Sequence, residues 1–157
     1  MKYLSLLVFL FLLSCSGSKR SFSSIDDARE SIKKIIQDVD VDGFLICCDQ
    51  SNLPNYVTEN IEEKVKGLLT QASSMNYTEV LSYSKEEYEA YCKLEHEKIP
   101  ESIRHNFNET PTWNRIPERY LIFRYGSSES STFDLTVALF RVDDGWRIAS
   151  GYYPQKN

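Results

Sequence analysis

Residues 119–153 read RYLIFRYGSSESSTFDLTVALFRVDDGWRIASGYY, and this stretch decides the fold. Arg119 to Tyr125 is dense in aromatic and aliphatic side chains and predicts a strand, followed by a polar turn over Gly126–Ser131. From Thr132 to Val142, Phe133, Leu135, Val137 and Leu139 alternate with Asp134, Thr136, Ala138 and Phe140. That period of two predicts a long strand with one apolar face. Asp143-Asp144-Gly145 supplies a tight hairpin turn, and Trp146 to Tyr153 closes the unit. The expected product is a three-strand antiparallel meander.

Upstream, the period changes from two to nearly four. Ile25, Ala28, Ile32, Ile35, Ile36 and Val39 form one helical stripe, opened by Ser24 with Asp26 and Asp27 in the first turn. Asp40 or Asp42 can cap a short second helix holding Phe44, Leu45 and Cys48, and Asn52–Asn55 breaks the chain. Glu59 to Ser73 predicts a third helix, with Ile61, Val65, Leu68, Leu69 and Ala72 on its apolar face. Tyr77 to Tyr83 alternates as a strand. Ser84 and Glu87 have the spacing of a capping box, opening a helix that Pro100 stops. Residues 101–118 have no clear period and are expected to loop over the surface. Helices followed by an antiparallel sheet predict an α+β fold, with the helices packed on one sheet face.

The N-terminus is a different kind of segment. Met1-Lys2-Tyr3 precedes a run from Leu4 to Leu13 that only Ser5 interrupts. One positive charge and a short apolar core fit a secretory leader, and the run is too short to span a bilayer as a helix. Leu12-Leu13-Ser14-Cys15 resembles the lipobox of bacterial lipoproteins. The resemblance implies cleavage after Ser14, lipidation of Cys15, and a domain outside the cytoplasm on the cell envelope, outer membrane included. Residues 1–14 are then the leader, 15–23 a lipidated tether, and 24–157 a single domain. Several acyl chains give a stable anchor where one alone is marginal.

Composition narrows the partners. The chain has 157 residues, 18 basic against 23 acidic, and a formal net charge of −5. Such a balance argues against a nucleic-acid surface, which needs clustered Lys and Arg. Besides Cys15 there are three cysteines. One of Cys47 and Cys48 could bridge to Cys92, or all three could be small buried apolar residues. No Cys-x-x-Cys occurs, and the two histidines are nine positions apart.

The segment QDVDVDGFLICCD (37–49), after the first helix, resembles the opening helices of nuclear-transport-factor-2-like proteins of the cystatin-like superfold. ALFRVDDGWRIASGYY (138–153) is similar to their last hairpin. The resemblance implies a curved sheet wrapping a long helix to form a cone. Phe133, Leu135, Val137, Trp146, Ile148 and Tyr152 would line it and hold a small apolar ligand or a partner's side chain.

Two further readings compete. Asp38, Asp40, Asp42 and Asp49 fall at positions 1, 3, 5 and 12 of a calcium loop, with Gly43 at the sharp turn. Against calcium, Val39, Val41, Phe44, Ile46, Cys47 and Cys48 occupy positions that are usually polar, and position 12 is Asp rather than Glu. Some proteins of the cystatin-like superfold are isomerases or dehydratases. By that resemblance Asp134, Tyr120 and His96 or His105 are candidates for acid–base work. No Gly-x-Ser-x-Gly, His-Glu-x-x-His or phosphate-binding glycine loop accompanies them. The sequence therefore points first to a membrane-tethered binding or interaction domain without a cofactor. A cone enzyme, or a structural or immunity-type envelope protein, is the rival.

Overall fold

The computed structural model describes residues 19–104, 111–126 and 133–153. Its elements in chain order are α1 (Ile25–Asp38), α2 (Val41–Cys47), β1 (Cys48–Asp49), α3 (Asn55–Thr58), α4 (Ile61–Ser73), β2 (Tyr77–Ser84), α5 (Lys85–Lys98), α6 (Glu101–Arg104), β3 (Thr112–Trp113), β4 (Arg119–Tyr125), β5 (Phe133–Val142), β6 (Gly145–Ala149) and β7 (Gly151–Tyr152). The architecture is α+β. Five strands form a curved, mostly antiparallel sheet in the order β1-β6-β5-β4-β2, and β3 pairs with β7 in a separate ribbon.

The expected meander is present as β4-β5-β6. Its hairpin turns on Asp143 and Asp144, with Val142 paired to Gly145. Gly145 has φ +147°, and a Cβ there would collide with the Phe22 carbonyl oxygen, so the position requires glycine. Helix α1 begins as read, with the Ser24 hydroxyl accepting from the Asp27 N–H. Ser84 and Glu87 form the full capping box of α5.

One sheet face meets α1, α2 and α4. Ile32 and Ile36 pack there with Leu69, Leu121, Phe123, Val137 and Leu139. Burying each such side chain stabilises the fold by roughly 1.5–3 kcal/mol. The other face meets α5, where Tyr88 stacks on Tyr120 with centroids 3.9 Å apart. Helices thus lie on both faces, not one. The reason is that the α5 side with Tyr88 and Tyr91 supplies rings rather than an aliphatic stripe.

Three further expectations are corrected. The closing strand is not continuous to Tyr153: it breaks at Ser150, and β7 pairs with β3. The 101–118 stretch holds α6 and β3 as well as loop. The domain also starts before Ser24. Phe22 is fully buried and exchanges two backbone hydrogen bonds of 2.8 Å with Trp146. Upstream of it the Arg20 N–H donates to the Ile46 carbonyl at 3.2 Å, so the chain from Arg20 is already part of the fold. No described helix is long and apolar enough to cross a membrane. The leader, Cys15 and His105 lie outside the described residues.

Candidate functional site: an apolar cleft beside β5

The space beneath α1, where the cone was expected, is filled. Ile32, Ile35 and Ile36 occupy it together with Leu121, Phe123 and Leu139. A cleft of about 490 Å³ opens to the side instead, and the strand pairing explains why. The β4–β5 ladder runs to Tyr125↔Phe133, but the β5–β6 ladder stops at Leu139↔Ile148. From Leu135 to Ala138, β5 therefore has no described strand on its β6 side. The gap is walled by Phe44 of α2, Val57 of α3 and Ile61, Val65 and Leu68 of α4, with Lys64 beside them. Opposite these stand Leu135–Ala138, Ile148–Gly151, Trp113 and Tyr153. Leu68 is 45% exposed, an aliphatic side chain left in water at this cleft.

A polar knot draws the end of β6 away from β5. The Asn114 side chain donates to the carbonyls of Asp49 (2.7 Å) and Ser51 (2.9 Å), and its amide oxygen accepts from the Ser150 N–H at 2.8 Å. The Ser150 hydroxyl donates to the Asp49 carbonyl at 2.8 Å. The Arg115 Nε donates to the Asp49 carboxylate at 2.7 Å, and the Ser51 N–H donates to its other oxygen at 2.8 Å. Asp49 is only 2% exposed. Burial alone would raise its pKa, yet the hydrogen bonds from Ser51 and Arg115 outweigh that and hold it at about 2. Arg147, 8% exposed, donates to the Cys48 carbonyl at 2.7 Å. Gly151 completes the bend, since a Cβ there would lie 2.8 Å from the Trp113 ring.

Of the six expected lining residues, Leu135, Val137 and Ile148 line the cleft. The other three stand elsewhere. Phe133 packs on Tyr125, Trp146 holds Phe22 and carries Arg141 over its ring, and Tyr152 pairs with Thr112. The sequence reading assigned no cleft role to Phe44, Val57, Trp113 or the α4 face. The α4 periodicity was visible, but periodicity does not say what a face packs against. Apart from the local Ser51–Asp49 bond, the Asp49 knot joins residues 36 to 101 positions apart and carries no local signal.

The four aspartates of the calcium reading are not brought together. Asp38 pairs with Lys34 at 2.7 Å, Asp40 caps α2 through the Gly43 N–H at 2.9 Å, Asp42 sits in the first turn of α2, and Asp49 belongs to the knot. Residues 41–47 are helical, so the stretch cannot wrap an ion as a loop. Among the described residues, no group of three or more His, Cys, Asp or Glu could hold a metal.

The acid–base candidates are likewise dispersed. Asp134 pairs with Arg124 at 3.0 Å and accepts from the Tyr91 hydroxyl at 3.2 Å. Tyr120 lies under the Tyr88 ring, four residues or about 13 Å along β4 from Arg124. His96 is in the last turn of α5. Cys47, Cys48 and Cys92 are free thiols, the first two buried and the third exposed. Cys48 packs in the core with Ile148, whereas Cys92 stands on α5, which covers the opposite sheet face, so the bridge to Cys92 does not form. Burial pushes the Cys48 thiol and the Tyr88 phenol, both at the cleft, well above their ordinary values.

A second depression, about 620 Å³ and shallower, lies by the N-terminus among Lys19, Asp42, Leu45, Ile46, Gln50 and Glu62. Its mixed charges and open form give it no enclosed apolar wall. No known protein family, curated protein or solved structure matches the chain.

Proposed function

We propose that this chain is an envelope lipoprotein, tethered through Cys15, whose domain is a non-enzymatic binding module with the β5 cleft as its site. The observation that carries the binding reading is the cleft itself. About 490 Å³ walled mostly by aliphatic and aromatic side chains falls within the range of ligand sites. It would take a small apolar molecule or an apolar side chain of a partner. The lipobox resemblance at residues 12–15 supports the tether. Resemblance to nuclear-transport-factor-2-like proteins supports a sheet built around a ligand space.

An isomerase or dehydratase would need an acid and a base facing one cavity. The described acid–base candidates Asp134, Tyr120 and His96 do not line the cleft, so no such pair supports that reading.

Titration with N-phenyl-1-naphthylamine, a neutral apolar fluorophore, tests the binding reading. Saturable one-to-one enhancement that weakens in Leu68→Gln is expected. Unsaturable or absent enhancement contradicts it. For the tether, Cys15→Ser is expected to move the protein from the membrane fraction to the soluble fraction, and retention in the membrane contradicts it.

A further inference from the structure

We infer that the ligand of the β5 cleft is an amphipathic anion: a single alkyl chain ending in a carboxylate or similar head. This rests on the binding role proposed for the cleft and names the ligand class.

The argument is one of charge complementarity. The cleft wall is apolar along α4 and β5, and burial favours the neutral forms of the Cys48 thiol and the Tyr88 phenol there. Among the described residues, Lys64 is the charged residue of the lining and no carboxylate lines the cleft. Neither does Lys64 take part in any ion pair among the described residues. The α4 acids nearest to it in sequence, Glu62 and Glu63, line other depressions and not the cleft. An exposed ammonium one turn from Leu68 and beside Ile61 and Val65 therefore sits at the boundary between water and an apolar interior. A hydrocarbon tail among Val65, Leu135, Val137 and Ile148 places an anionic head at that boundary, where it stays hydrated and meets the ammonium. A neutral head gains nothing from Lys64, and a cationic head is repelled.

The test compares dodecanoate with dodecanol, which have the same tail and differ in head charge. Binding is measured by calorimetry on the chain from residue 16 onward, which contains every described element. Dodecanoate is expected to bind about two- to fivefold more tightly, the range of a solvent-exposed ion pair. Lys64→Gln is expected to erase that preference. Lys66→Gln, on the same helix but away from the cleft, is expected to keep it. Equal affinity for the two probes, or a preference that survives Lys64→Gln, overturns the inference while the apolar site stands. Failure of both probes to bind overturns the site as well.

Discussion

On β5, Leu135 and Val137 belong to the aliphatic cluster shared with α1 and α4, whereas Asp134, one residue away, meets Arg124 and Tyr91 on the opposite face. The first face is held by contact area, which is insensitive to direction and to pH. The second is held by directed groups: the Tyr88–Tyr120 stack, the Arg124–Asp134 pair and the Asp49 knot. The difference teaches where a cavity can exist. Aliphatic packing closes the space under α1. The knot, by binding Ser150 and drawing the strand end aside, leaves the edge of β5 open and creates the cleft.

The comparison breaks most severely at the aliphatic face. Phe123, fully buried, is expected to lose roughly 3–5 kcal/mol of stability on substitution by Ala, read from denaturant midpoints. A loss under about 1 kcal/mol would show that this face is not the main source of stability.

The knot comes next, and it differs in kind because it titrates. Asp49 has a folded pKa of about 2 against an ordinary 3.8. A depressed carboxylate contributes stability that is fully present above the unfolded value and is lost as pH falls through the folded one. About 2 kcal/mol is therefore expected to disappear between pH 4 and pH 2. Asp49→Asn is expected to remove that acid-dependent component, compared by thermal melts across the same window. An unchanged pH profile in Asp49→Asn would detach the knot from the acid response. Arg115→Ala leaves the buried carboxylate unpaired and is expected to cost a similar amount at neutral pH.

The smallest effect belongs to Arg124–Asp134. The Asp134 carboxylate is 28% exposed against 3% for Asp49, whose Arg115 partner is itself 45% exposed, so it is the burial of the carboxylate that separates the two pairs. Asp134→Ala is expected to cost about 0.2–1 kcal/mol. A loss as large as that of Arg115→Ala would show that burial does not separate the two pairs.

The same division explains what the sequence discloses. Helix α1, the capping box at Ser84 and Glu87, and the β4-β5-β6 meander are written in spacing of two, three or four residues, so they are legible locally. The face that α5 covers was less legible, because its rings at Tyr83, Tyr88 and Tyr120 meet only after folding. The break at Ser150 was not legible at all, since its cause is Asn114, 36 positions upstream. Half of the expected lining residues reach the cleft because period-two alternation correctly put Leu135, Val137 and Ile148 on one face. Phe133, Trp146 and Tyr152 fail because alternation says nothing of where along a strand the neighbouring strand departs.

The most direct test of the cleft is a crystal of the chain from residue 16 onward soaked with 1-bromododecane, with the bromine located by anomalous scattering. The account predicts bromine in the space bounded by Val65, Leu135 and Ile148, with α1 unmoved. Bromine between α1 and the sheet, or no ordered bromine at all, would contradict it.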